Sequence, residues 1–214
     1  MKRLIIYILI SVFSLSGIAQ NADNYFEKAC DYLIEGNYNK AIKYFNKTIE
    51  AKPDFDWAYL NRASAYTLQG NYNKAIIDLT KYLEFDPHNP GILESRGILY
   101  VETNQPDLAI SDLNNALIFT PESTYLNFYI GLAYYKKNEF LSAIDYFNIF
   151  LDNNGLEWET YYYISLCYKK LSETEESCKY ANMAYESLTT EFSDNIKDHK
   201  KEYKTLKKLV SKCK

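Results

Sequence analysis

The sequence predicts an all-α protein, a solenoid of about five helix-turn-helix repeats closed by a C-terminal helix. Three observations lead there. The heptapeptide GNYNKAI stands at 36–42 and again, letter for letter, at 70–76. The same register, stepped on by the same interval, meets NQPDLAI at 104–110, NEFLSAI at 138–144 and a weaker SETEESC at 172–178. Small residues recur at two fixed positions: Ala29, Ala63, Gly97, Gly131 and Ser165, then Ala41, Ala75, Ala109, Ala143 and Ser177. A constant period of about 34 residues is the mark of a repeat array. It divides the chain into blocks 22–55, 56–89, 90–123, 124–157 and 158–191.

Residues 1–19 stand apart from these blocks. Lys2 and Arg3 precede an apolar stretch from Leu4 to Phe13, and Gly17-Ile18-Ala19 supplies small residues. That order predicts a secretory signal peptide cut after Ala19, with no cysteine behind it for a lipid anchor. The expected localisation is therefore export, to a periplasm or beyond the cell, as a soluble protein.

Each block carries two apolar stretches of helical period with a turn between them. In the second, DWAYLNRASAYTLQ precedes GNYNKAIIDLTKYLEFDP. Gly70 falls where the first helix must end, a place that favours the left-handed backbone glycine tolerates. Pro53, Pro87 and Pro121 close their blocks, because proline stops a helix; Gly155 and Thr189 stand at that place in the last two. Pro106 fits the first turn of its helix, where its missing N–H is not needed. Small residues on both helices let the backbones approach closely. Tyr32, Tyr66, Tyr100, Tyr134 and Tyr168 form a column at one position, read as core rather than as a cofactor site.

The tail, 192–214, places Ile196, Tyr203, Leu206, Leu209, Val210 and Cys213 on one helical face among lysines. A repeat stack ends in an exposed apolar face, and a helix of this kind covers it. The alternative is a basic amphipathic helix that touches a membrane surface or an acidic partner.

Composition narrows the function. Of 214 residues, 47% are apolar and 24% charged, values of an ordinary soluble protein. Without Lys2 and Arg3 the balance is 22 basic to 28 acidic residues, and the basic excess sits in the tail. An acidic body excludes nucleic acid as the main ligand. His88 and His199 each stand alone, so no metal site is expected. No phosphate loop, nucleophile elbow or metalloprotease helix is present, so no catalytic residue and no cofactor is assigned. Cys30, Cys167, Cys178 and Cys213 match no disulfide framework; Cys178 with Cys167 or Cys213 is one possibility, and buried thiols are the other.

The pattern resembles the tetratricopeptide repeat family over residues 22–191, through Tyr59, Ala63, Tyr66, Gly70, Tyr72, Ala75, Leu79 and Pro87 of the second block and their equivalents. Lys28, Arg62 and Arg96 depart from it, standing where the family has Leu or Ile, and Tyr82 and Phe150 fill a usually small position. The resemblance implies a right-handed solenoid whose first helices line a concave groove through positions 2, 5, 9, 12 and 13 of each block. Here these positions include Phe26, Trp57, Leu60, Ile98, Tyr125, Phe128, Tyr135, Tyr162 and Lys169, the expected partner-binding residues. Members that clamp the terminal carboxylate of chaperone tails use Lys and Asn residues. Phe26 and Cys30, then Gly91 and Ser95, replace them, and Asn61 matches alone, so that clamp is absent. The resemblance implies a non-catalytic scaffold that binds a protein or peptide partner, in assembly of an extracytoplasmic complex. A membrane adaptor using the lysine-rich helix and a self-assembling array are the alternatives. The partner's identity and the oligomeric state are not legible in the residues.

Overall fold

The computed structural model describes residues 21–154, 158–191 and 200–213. The expected signal segment 1–19, the turn at Gly155, and Ile196 and His199 of the tail lie outside them. Every regular element among the described residues is helical. The chain forms two compact units that meet at Thr103 and Asn104, inside the third block rather than between blocks. The first unit holds α1 (21–34), α2 (Tyr38–Ala51), α3 (Asp56–Leu68), α4 (Tyr72–Tyr82) and α5 (Pro90–Glu102). The second holds α6 (Pro106–Phe119), α7 (Tyr125–Lys136), α8 (Phe140–Asn154), α9 (Trp158–Lys170), α10 (Thr174–Glu191) and α11 (Lys200–Val210). Within each unit, chain neighbours pack on one another, and α9 also touches α7.

The turn inside each block is built the same way whatever residue occupies it. Gly36, Gly70, Asn104, Asn138 and Ser172 all have positive φ, between 58° and 74°. The amide of the residue after the left-handed position then bonds back to the tyrosine of the column. Asn37 N–H donates to Tyr32 O at 2.8 Å, Asn71 to Tyr66 at 2.8 Å, Glu139 to Tyr134 at 3.0 Å and Glu173 to Tyr168 at 2.9 Å. This is the Schellman closure, which satisfies carbonyls that a helix end leaves open. Only two of the five positions are glycine, so the left-handed turn is a property of the repeat and not of one residue type.

The small positions sit at the helix crossings. Ala29, Ala41, Ala75, Ala109 and Ala143 are fully buried. In the last block serine replaces alanine on both helices, and Ser177 Oγ donates to Ser165 O at 2.9 Å. Gly131 faces the buried ring of Phe147, and a methyl group there would lie 2.6 Å from two of its carbons. Gly131→Ala is therefore expected to cost about 1–3 kcal/mol through overpacking, measured as the shift in urea midpoint. An unchanged midpoint would mean that the Phe147 ring can turn aside. Tyr82 and Phe150, the two bulky departures, are both buried.

The tyrosine column is only partly core. Tyr100 is buried, while Tyr32, Tyr66, Tyr134 and Tyr168 are half-exposed. Tyr32 stacks on Tyr44 (centroids 5.5 Å apart), Tyr134 on Tyr146 (5.3 Å) and Tyr168 on Tyr180 (5.6 Å). Lys40, Lys74 and Lys137 lie over the faces of Tyr32, Tyr66 and Tyr134. The rings pack while their edges meet water, which suits the amphipathic character of tyrosine.

The thiol reading of the cysteines needs correction for two of the four. Cys178 and Cys213 form a disulfide, with Cα atoms 5.5 Å apart. Cys30 and Cys167 are free thiols, and burial pushes Cys167 up to about 12. The disulfide ties the end of the chain to α10, where α11 buries Leu206 among Trp158, Tyr161, Ala184 and Leu188. Tyr203 of α11 stacks on Tyr185 at 5.6 Å, and their hydroxyls bond at 3.2 Å.

Candidate functional site

In the first unit, α3 and α5 frame an open cleft of about 400 Å³. Its walls are Leu60, Ser64, Thr67 and Leu68 from α3, and Ser95, Ile98 and Leu99 from α5. Ala63 and Leu79, both buried, form part of its lining. The helical period makes the α3 wall: residues 60, 64, 67 and 68 share one face. Trp57 lies one turn earlier and is 55% exposed, and Leu68 is 59% exposed.

The hydroxyls of the cleft donate inward. Ser64 Oγ donates to Leu60 O at 3.1 Å, Thr67 Oγ1 to Ala63 O at 2.9 Å, and Ser95 Oγ to Gly91 O at 2.8 Å. Serine and threonine often bond to the carbonyl four residues back in this way. With their donors engaged, the cleft presents mostly hydrocarbon.

The cations of α3 and α5 turn toward the second helices. Arg62 forks onto Asp78, Nε to Oδ2 at 2.8 Å and Nη2 to Oδ1 at 2.7 Å, and Nη1 donates to Asn46 Oδ1 at 2.6 Å. Burial works against the guanidinium charge, but the Asp78 bonds outweigh it and hold its pKa above the ordinary value. Arg96 Nη1 reaches Thr80 Oγ1 at 3.0 Å. The two arginines that break the family pattern thus tie first helices to second helices.

The expected binding residues divide between the units. Leu60 and Ile98 come together in the cleft, and Trp57 lies one turn before Leu60 on α3. Phe26 packs instead into the first-block cluster, 4.8 Å from Phe55 and 5.8 Å from Phe45. In the second unit Tyr125 is 45% exposed, and its hydroxyl bonds that of Tyr129 at 2.6 Å. Phe128 is a correction: it is buried, with Phe150 at 5.5 Å, Phe147 at 5.8 Å and Tyr163 at 6.2 Å. It supports the surface from below and offers no face to a partner. Tyr135 and Tyr162 are half-buried against Tyr163, at 5.5 and 5.6 Å. Burial raises the pKa of the Tyr135 hydroxyl. Lys169 is exposed in the last turn of α9, where a cation suits the helix dipole.

Sequence reasoning missed Ala63, Leu79, Ser95, Leu99 and Tyr163. Ala63 and Leu79 were legible as packing positions, and a packing position that also lines a cleft gives no separate signal. Among the described residues, no group of three or more His, Cys, Asp or Glu side chains could hold a metal ion. No helix among them is long and apolar enough to cross a membrane.

Comparison with known proteins agrees with this architecture. Models described as tetratricopeptide repeat match residues 22–55, 57–89 and 95–186. No curated protein sequence matches. Among solved structures, a MamA protein superposes with a TM-score of 0.73 at 20% identity, covering 82% of this chain and 96% of that one. MamA from Desulfovibrio magneticus RS-1, residues 41 to the end, gives 0.72 at 16% identity, over 82% and 97% of the two chains. YrrB, described as a TPR protein with an unusual peptide-binding site, gives 0.70 at 18% identity, over 82% and 90%. At these identities the likeness is one of fold. With a common period, a common turn and matching family models over most of its length, the chain belongs to the tetratricopeptide repeat proteins, a family whose members typically mediate protein–protein interaction.

Proposed function

We propose that this protein is an exported, non-catalytic scaffold that binds a segment of a partner protein on the first-helix side of its repeats, in assembly of an extracytoplasmic complex. The α3–α5 cleft carries the reading. It is apolar, its donors are engaged, and exposed Trp57 and Leu68 belong to the same helix. Tryptophan is prominent among residues that dominate binding energy. The helices that frame the cleft are held by their own packing, so a partner binds without ordering them first.

Trp57→Ala with Leu68→Ser removes exposed apolar surface and leaves the core alone. The double variant is expected to keep its helical circular dichroism and to lose partners captured by crosslinking from an envelope extract, with affinity at least about tenfold lower. Equal capture by both proteins would move the binding site away from this face. The tail helix offers a weaker adaptor reading. Its Leu206 is buried against Trp158, Tyr161 and Leu188, which leaves half-buried Leu209 and Val210 as the apolar surface a membrane would meet beside the lysines.

A further inference from the structure

The charges around the cleft are as specific as its apolar lining. Glu94, Ile98 and Glu102 stand four residues apart along α5. That spacing puts one carboxylate about 6 Å before Ile98 and one about 6 Å after it on the same helical face. Neither glutamate has a hydrogen bond or ion pair among the described residues. Glu102 is exposed, whereas Glu94 is half-buried, and loss of water alone raises its pKa. A partly desolvated, unpaired carboxylate is an unfavourable arrangement that a cation would relieve. The cations of α3 and α5 cannot supply it, because Arg62 is engaged by Asp78 and Asn46 and Arg96 reaches toward Thr80.

Net charge follows the same sense over part of the first unit. Helix α1 bears Asp23, Glu27 and Asp31 against Lys28, and α5 bears Glu94 and Glu102 against Arg96, while α3 is balanced by Asp56 and Arg62. The second helices are basic, α2 with Lys40, Lys43 and Lys47 against Glu50 and α4 with Lys74 and Lys81 against Asp78. Carboxylates along the α5 side of an apolar cleft favour a partner of opposite charge and repel an acidic one.

We propose that the α3–α5 cleft takes a basic, aliphatic-anchored protein segment, with a Leu, Ile, Val or Met side chain seated between Leu60 and Ile98 and a Lys or Arg reaching Glu94 or Glu102. The 6 Å offsets set the pattern. A helical segment places its cations three or four residues from the anchor, and an extended one places them two residues away. This inference rests on the cleft being the docking face.

The test is selection of a displayed library of random 12-residue peptides on the full-length protein, followed by binding measurements on the variants. Selected peptides are expected to carry an aliphatic residue with Lys or Arg at those spacings. The best of them should bind the isosteric variant Glu94→Gln with Glu102→Gln about tenfold more weakly, and raising salt should weaken its binding to the wild type. If peptides lose binding to Leu68→Ser with Ile98→Ser yet show no basic preference and ignore the glutamine variant, this inference is overturned and the docking face stands. If all variants bind the selected peptides as the wild type does, or no peptide is selected, both readings fall. Circular dichroism of each variant separates a lost contact from a lost fold.

Discussion

Removing the disulfide by Cys178→Ser with Cys213→Ser is expected to lower the stability of the second unit by roughly 3–4 kcal/mol. The link closes a loop spanning 35 residues, and the chain-entropy relation for a loop of that size gives a value in this range. The packing of α11 explains why the effect reaches the core. Its only fully buried side chain among the described residues is Leu206, joined by the partly buried Tyr203. The other buried members of that cluster, Trp158, Tyr161, Ala184 and Leu188, belong to α9 and α10. A short, lysine-rich helix with so few apolar contacts docks weakly by itself, and the covalent tie holds it near its site. Trp158 provides the reading. It is 4% exposed, while the protein's other tryptophan, Trp57, lies exposed in the first unit. In a Trp57→Phe background, reduction should shift Trp158 emission to the red and lower the urea midpoint followed at that residue. A midpoint insensitive to reductant would mean that α11 docks on packing alone.

The period made the architecture legible because every block repeats the same physical problem. Two helices must cross closely, turn sharply and hand over to the next pair. Small residues and turn residues at fixed offsets are the sequence trace of that problem. Legibility failed where two solutions share one position. Asn104, Asn138 and Ser172 occupy the left-handed turn as Gly36 and Gly70 do, yet nothing in their identity demands it. Helix α7 reads YLNFYIGLAYYK, apolar almost all round, so periodicity cannot say which ring faces a partner and which faces the core. Phe128 went to the core for that reason and Tyr125 to the surface. Trp57 and Leu60 were placed by the repeat register and not by polarity, since Leu60 shares its face with Ser64 and Thr67 while Arg62 turns inward to Asp78. The Cys178–Cys213 disulfide was one of two pairings open to Cys178 beside the free-thiol reading, and the choice depends on which helices fold against one another.

Arg62 was visible as an anomaly, and its partner makes it the second large effect. The guanidinium fork and the Asp78 carboxylate, whose side chain is 3% exposed, form a buried pair whose members support each other. Asp78→Ala leaves the cation uncompensated and is expected to cost about 3 kcal/mol, the lower end for a broken buried pair because Arg62 keeps some contact with water. The repeats suggest how to replace the pair. At the positions equivalent to Arg62 and Asp78, the fourth block has Ile130 and Tyr146, and the fifth has Ile164 and Tyr180. There the isoleucines are fully buried. The tyrosines stack on the column at 5.3 and 5.6 Å. Arg62→Ile with Asp78→Tyr would carry that arrangement into the second block, placing the new ring against Tyr66. Either single change should be strongly destabilising, one by burying a lone carboxylate and the other by burying an unpaired guanidinium. The double variant should return to within about 1 kcal/mol of the wild type, since a buried ion pair gains little over well-packed apolar groups. A double variant as unstable as the sum of its parts would show that the arginine is needed for a further bond, and Asn46 on α2, 2.6 Å from Nη1, is where that bond lies.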